Sequence, residues 1–289
     1  MKVYLEPHTN SRGILRVRDA LVRFAPKEVE VVSSENEADL VILHVFGRNT
    51  TSHNRAGRLQ KQGKPYGVIQ YCLRSTMRPN TFDWMVMWQK AQVVWSYYDL
   101  FRLSDEDKTR GEFNFYHAPL GVDGEVFNSK QLFRPYTIVA SAQHALSESV
   151  RECAYATKRV NGRMFHVGHE LRRGEDIVCK SNLTDEELAY VYSTSQFVSG
   201  LRRTEGFEFP VIEGALCGAR PIVFDRPEMR HWFGQFAIFI QEGSRDSVID
   251  NLEMIFRQGS TPVEEWQKAL IREKFNWQYI IDGFWRRIL

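Results

Sequence analysis

Cysteine is scarce in this chain of 289 residues: there are four, Cys72, Cys153, Cys179 and Cys217, far apart and in no metal-type pair. That spacing excludes a disulfide-built fold and points to reduced, buried thiols in a cytoplasmic protein. Long hydrophobic runs are missing too, and no apolar stretch approaches the ~20 residues a helix needs to cross a bilayer. Met1-Lys2-Val3-Tyr4-Leu5 opens directly into a strand, so neither a signal peptide nor a membrane span is expected. Low-complexity tracts and short tandem repeats are absent as well.

What remains is the composition of an ordinary globular protein, with 43% hydrophobic and 26% charged residues. At ~100–200 residues per domain, the length suits two modest domains. The aromatic share is 13%, with seven Trp, which suits large cores or a ring-lined cleft. A formal net charge of +2 hides an uneven distribution. Between Val41 and Asn80 lie seven basic residues (Arg48, Arg55, Arg58, Lys61, Lys64, Arg74 and Arg78) and no Asp or Glu. A local basic face attracts phosphate on a sugar donor, a nucleic acid or an anionic lipid surface. A solvated helix with an accidental bias of sign reads the same way.

Hydrophobic patterning predicts alternating strands and helices. Lys2–Leu5, Val29–Val32, Ala38–Val45, Tyr66–Cys72 and Ala91–Ser96 read as strands, with helical stretches at Ile14–Phe24, up to about Gln62, and at Phe82–Lys90. Ala38–Val45 is nearly continuous in apolar residues, as in a parallel strand covered on both faces. The second half repeats the theme. Strands are expected at Tyr136–Ser141, Arg163–Gly168, Ile177–Lys180, Phe197–Ser199 and Arg220–Asp225. Helices are expected at Leu146–Val160, Asp185–Tyr192, Val211–Cys217, Ser247–Arg257 and Val263–Phe275. Thr184 with Glu187 three residues on forms a capping box at one helix start. The pattern predicts an α/β protein of two similar domains, 1–127 and 128–289, divided where turn residues and a proline cluster at Phe127–Arg134.

The most informative stretch runs from Thr204 to Val223: Thr-Glu-Gly-Phe-Glu-Phe-Pro-Val-Ile-Glu-Gly-Ala-Leu-Cys-Gly-Ala-Arg-Pro-Ile-Val. A glycine-containing loop follows a strand and opens a helix, with carboxylates flanking the turn. Such a loop points backbone N–H groups and a helix dipole at an anion such as a sugar diphosphate. Glu213, one turn into the helix, can accept two hydrogen bonds from a vicinal diol, as an acidic residue does for ribose in dinucleotide sites. An ordinary helix–strand packing motif is the plain alternative.

Glu205 and Glu213, with seven residues between them, and the following Ala-Leu-Cys-Gly-Ala-Arg-Pro resemble the signature of retaining GT-B glycosyltransferases of the large family-four type. Ala118-Pro119-Leu120-Gly121-Val122-Asp123 with Phe127 is similar to that family's interdomain linker. Asp39-Leu40-Val41-Ile42-Leu43-His44 is similar to its histidine-ended strand, and Phe165-His166-Val167-Gly168 to a glycine-ended donor-domain strand. The resemblance implies two Rossmann-like domains facing each other across a cleft, with the last helix returning to the first, acceptor-side domain. It implies that Glu213 binds the donor ribose. Glu205 and the loop Gly206, Phe207, Glu208, Phe209 and Pro210 would lie against the donor sugar and phosphates, with His44 reaching the sugar across the cleft. Asn10-Ser11-Arg12-Gly13 takes the place of the family's first-domain glycine loop, which makes Gly13, with His8 and Arg12, a further candidate beside Gly168.

Two departures stand out. The family commonly holds the diphosphate with an Arg and a Lys after the first donor-domain strand, and Ser141–Ser149 has neither. The negative charge of a departing nucleotide diphosphate must be met by a metal or by fixed cations. No metal and no cofactor are expected, and the task falls to Arg202 and Arg203, whose forked donors suit phosphate oxygens. Glu208 stands where the family usually has Gly, which leaves the loop with less backbone freedom. The reading is a metal-independent, retaining glycosyltransferase using a nucleotide-diphosphate sugar. A glycan, lipid or nucleic acid acceptor stays open, as does peripheral contact with an anionic surface through the basic face. The rival reading is a module that binds nucleotide sugar or nucleic acid and has lost turnover.

Overall fold

The computed structural model describes residues 1–7, 12–45, 50–71, 73, 81–101, 113–130, 132–142, 149–168, 177–203 and 206–289, with backbone alone at 50, 81–83 and 142. The chain divides into two compact units, Met1–Gly121 with Thr204–Gly206 and Trp277–Leu289, and Val122–Arg203 with Phe207–Asn276. The division after Gly121 precedes the boundary expected at 127. The Val122 N–H donates to the Phe275 carbonyl at 2.9 Å, and Val122 pairs with Asn276, so the chain already belongs to the second unit there.

The first unit contains β1 (Lys2–Leu5), α1 (Arg12–Arg23), β2 (Glu30–Val32), a 3-10 turn at Glu35–Glu37, β3 (Leu40–Val45), α2 (Thr50–Lys61), β4 (Tyr66–Gln70), α3 (Thr81–Lys90), β5 (Val94–Ser96) and β6 (Phe115–His117). Its sheet has six strands in the order β2-β1-β3-β4-β5-β6, every pair parallel. All residues of β3 and β4 are buried, which is why both strands read as continuous apolar runs. The second unit contains β7 (Tyr136–Ala142), α4 (Val150–Arg159), β8 (Met164–Gly168), β9 (Ile177–Lys180), α5 (Asp185–Ser193), β10 (Ser195–Gly200), α6 (Phe209–Leu216), β11 (Arg220–Phe224), α7 (Pro227–Phe233), β12 (Ile238–Ile240), α8 (Arg245–Gln258) and α9 (Glu265–Lys274). Its parallel sheet also has six strands, in the order β12-β11-β10-β7-β8-β9. The last helix, α10 (Trp277–Trp285), is part of the first unit, where Tyr116 Oη donates to the Ile280 carbonyl at 2.8 Å.

In each sheet the chain reverses its direction of growth once, between β1 and β3 and between β7 and β10. Connections leave such a point toward opposite sides and open a crevice at the strand C-termini, where ligands bind in open α/β sheets. In the second unit two glycines bring α6 hard against β10. A Cβ on Gly200 would lie 2.3 Å from Val211 Cγ2, and one on Gly214 would lie 2.6 Å from Val198 Cγ1. The other face packs Val150, Cys153 and Ala156 of α4 with Val248, Leu252 and Ile255 of α8. Burial pushes the Cys153 and Cys217 thiols up to about 12, so both stay protonated and unreactive at neutral pH. No helix among the described residues is long and apolar enough to cross a membrane.

Among the described residues, part of the basic stretch is paired with carboxylates. Glu35 receives Arg55 Nε at 2.7 Å and Arg58 Nη2 at 2.6 Å, and Lys64 Nζ donates to its carbonyl. Arg55 also reaches Glu6 at 3.3 Å. Both carboxylates lie outside the 41–80 window, so counting charge along the chain missed them. Arg48, Arg74 and Arg78 lie outside the described residues.

Two alanine substitutions separate helix propensity from packing. Gly57 lies inside α2, and a Cβ added there would meet nothing within 4 Å, so Gly57→Ala should stabilise the protein by about 0.5–1 kcal/mol. Gly214→Ala gains the same propensity, but overpacking against Val198 costs about 1–3 kcal/mol, for a net loss of roughly 1 kcal/mol in urea unfolding. Equal gains at both positions would show that α6 has room to move off β10.

Candidate functional site

The β10–α6 turn sits at the switch point of the second sheet. β10 ends at Gly200, and the Arg202 N–H turns back to the Gly200 carbonyl at 2.9 Å. The Arg202 guanidinium then reaches from the end of β10 to its neighbour β7. Its Nε donates to Glu208 Oε2 at 2.9 Å, and its Nη2 donates to the carbonyl of Ser141 near the end of β7. Arg202 is 8% exposed and Glu208 4%, so the pair ties the loop down from inside. Glu208 occupies the residue before α6 with φ −136° and ψ 113°. Any residue adopts that extended backbone, so the glycine of the family pattern is not required here. Pro210 lies in the first turn of α6, and no side chain caps the helix start.

Arg203 lies between two carboxylates. Its Nη2 is 3.7 Å from Glu152 and its Nη1 3.6 Å from Glu242, both longer than a hydrogen bond. Arg226, buried and not among the residues expected from sequence, donates from Nε to Glu242 at 2.8 Å and from Nη2 to the Arg203 carbonyl at 2.8 Å. Both guanidinium groups lie over the Phe224 ring, at 5.2 and 5.6 Å. Around the turn, the three guanidinium groups of Arg202, Arg203 and Arg226 therefore face the three carboxylates of Glu152, Glu208 and Glu242. Arg202 and Arg203, the cations expected from sequence to meet the diphosphate, both lie beside carboxylates here. Arg202 is committed to Glu208. Arg203 has a side chain 26% exposed, and both of its ion pairs are longer than a hydrogen bond.

Glu213 lies one turn into α6 and is 2% exposed, and Tyr192 Oη donates to its Oε2 at 3.3 Å. The Phe207 ring packs among Phe209, Trp232, Phe233 and Phe275, so its side chain serves the core while its backbone stays in the turn. Phe209 and Pro210 are half-buried. Gly206 counts with the first unit, where a Cβ would come within 2.5 Å of the Tyr98 ring. Gly168 ends β8 opposite Ala142 of β7. Glu205 lies outside the described residues.

The first unit has a second polar cluster, at its own switch point. Glu6 follows β1, His44 is near the end of β3, and Tyr71 follows β4. The His44 backbone N–H donates to Glu6 Oε2 at 2.8 Å, and His44 Nδ1 lies 2.9 Å from Tyr71 Oη. Ser52 of α2 reaches Glu6 Oε2 at 3.0 Å and the His44 carbonyl at 2.9 Å. Gly13 does not lie in a loop. It falls in the first turn of α1 beside Arg12, because the helix starts earlier than its apolar periodicity suggests. His8 lies outside the described residues. So does Asp105-Glu106-Asp107, an Asp-x-Asp triplet, and its presence means that the sequence alone does not exclude a metal.

Two parallel six-stranded sheets, each interleaved with helices, make two Rossmann-like domains, and the fold is of the GT-B type. Several solved structures share it. HepE of Anabaena, in complex with UDP and glucose, superposes with a TM-score of 0.74 at 11% identity, covering 99% of this chain and 98% of that one. Sucrose-phosphate synthase of Thermosynechococcus elongatus gives 0.70 at 12% identity, over 87% of this chain and 73% of that one. The pneumococcal O-GlcNAc transferase GtfA, in complex with UDP and GlcNAc, gives 0.67 at 16%, over 86% of this chain. The chain spans 56% of the length of GtfA. No protein-family model and no curated protein sequence matches it.

The Arg202–Glu208 pair can be tested apart from any activity. Glu208→Ala leaves a buried guanidinium short of its carboxylate and should cost about 3 kcal/mol. Arg202→Met combined with Glu208→Gln should recover most of that loss in urea unfolding. A cost under about 1 kcal/mol for Glu208→Ala would mean that the pair does not hold the turn.

Proposed function

We propose that the chain is a glycosyltransferase that moves a sugar from a nucleotide-diphosphate donor held at the C-terminal edge of the second unit's sheet. The observation that carries this reading is the β7/β10 switch point. The chain there runs from the end of β10 to the start of α6, which no side chain caps, and a buried carboxylate, Glu213, stands one turn inside. Glu213 accepts hydrogen bonds from the donor ribose, with Tyr192 fixing the carboxylate from the other side. Amides of Phe207–Phe209 and the α6 dipole meet the diphosphate. Glu205 and His44 are the sugar-side residues that the family resemblance implies. That solved neighbours of this fold bind UDP makes uridine the first base to test.

The bond that breaks joins the sugar's anomeric carbon to the diphosphate oxygen, through an oxocarbenium-like transition state, while an acceptor hydroxyl oxygen bonds to the same carbon and its proton leaves with the nucleotide diphosphate. The leaving diphosphate gains negative charge, and Arg203 turns from Glu152 and Glu242 to meet it. Retention of anomeric configuration and independence from metal are part of this proposal. The acceptor stays open among a glycan, a lipid and a nucleic acid.

One observation favours a second reading, a module that binds nucleotide sugar without turning it over: the three guanidinium groups at the turn are matched by three carboxylates. Thermal melts with UDP, GDP and ADP, followed by assays of UDP release from UDP-glucose and UDP-GlcNAc with and without EDTA, separate the two. At a concentration a hundredfold above Kd, UDP should add about 2.7 kcal/mol of stability, a shift of several degrees in Tm. Glu213→Gln should remove most of that shift. UDP binding with no UDP released favours the second reading, and loss of turnover in EDTA removes metal independence. If no nucleotide raises Tm, both readings fall.

A further inference from the structure

Glu6, His44 and Tyr71 come from three adjacent strand ends, β1, β3 and β4, and meet at the switch point of the first sheet. Placing a carboxylate, an imidazole and a phenol together in a buried site is expensive unless each is hydrogen-bonded. Here the bonds are made. Glu6 is held by Ser52 and by Arg55 at 3.3 Å, and it accepts the His44 backbone N–H. Tyr71 is fixed by its own N–H, which donates to the Val45 carbonyl at 2.8 Å. Its ring stacks on His44, with centroids 5.9 Å apart and planes at 23°. Core packing alone would need none of these polar groups.

We infer that Tyr71 and Glu6 are positioning residues for His44: Tyr71 donates its hydroxyl proton to His44 Nδ1 and holds the ring as the Nε2–H tautomer, while Glu6 fixes the backbone of the same residue. Burial, with the nearby charge of Glu6 adding to it, pushes the Tyr71 hydroxyl well above the usual tyrosine range, so the phenol keeps the proton it donates. The imidazole is then a fixed hydrogen-bond donor at Nε2, suited to a hydroxyl or ring oxygen of a sugar. The sugar as ligand rests on the proposed function; the tautomer does not.

The test uses the full chain labelled with 15N-histidine. Long-range 1H–15N spectra report the tautomer of each imidazole, and the His44 signals are identified by their loss in His44→Gln. The wild type should show His44 as the Nε2–H tautomer. Tyr71→Phe should shift it to a tautomer mixture and lower kcat for UDP-sugar turnover about tenfold, with KM changed less than twofold. Glu6→Gln keeps an oxygen for the His44 N–H and should preserve the tautomer, which guards against Tyr71→Phe acting only by loosening the fold. An Nδ1–H tautomer in the wild type, or a His44 spectrum untouched by Tyr71→Phe, overturns the inference whether or not the protein turns over a sugar. A changed tautomer with kcat unaltered overturns the positioning role. A wild type that binds no nucleotide sugar sinks the proposed function alone, since the spectra still decide the tautomer.

Discussion

The site in the second unit depends on how closely α6 lies against β10. With hydrogen as the only side chain at Gly200 and Gly214, Val211 and Val198 fill the space that two Cβ atoms would occupy. The axis of α6, and so the direction in which its N-terminal amides point, is set by this contact. Arg202 adds a second tie, from Glu208 at the start of α6 to Ser141 on the neighbouring strand. Backbone donors at a helix start bind an anion well only if the helix cannot drift, and here packing and charge both hold it.

Among the described residues, charge is arranged in groups of opposite sign at Glu35 in the first unit and around Glu242 in the second. In the second unit, Glu242 holds Arg226 tightly and Arg203 loosely, while Phe224 supports both guanidinium groups. This grading matters more than the sum. A tightly hydrogen-bonded buried pair is costly to separate, whereas an ion pair at 3.6 Å on a partly exposed side chain exchanges partners readily.

Much of the fold was legible because buried parallel strands write themselves as apolar runs, as at Leu40–Val45 and Ile138–Ala140. The elements missed are short or unusual for their type. β6 is a half-buried edge strand of three residues, β12 has three residues, and α7 starts at a proline that reads as a turn. The helix α1 was read as starting late because Asn10-Ser11-Arg12-Gly13 looks like a loop, and Gly13 is instead in its first turn. Of the site, the motif Glu-x7-Glu was visible because its members lie close together along the chain. Arg226, Tyr192, Glu6 and Tyr71 were not, because each meets a partner from a distant part of the chain. One signal was available for Glu6 and Tyr71: each is the first residue after a buried strand of a parallel sheet, where functional side chains collect.

The turn at Glu35–Glu37 has a consequence for how the molecule behaves in company. β2 is the outer strand on one flank of the first sheet, and at three residues it is too short to hold that flank by ladder bonds alone. Arg55, Arg58 and Lys64 fasten the following turn through Glu35, which leaves the flank short and highly charged. A border of that kind is a poor template for another chain's strand, so the same cluster that drains charge from α2 also guards the sheet against edge-to-edge aggregation.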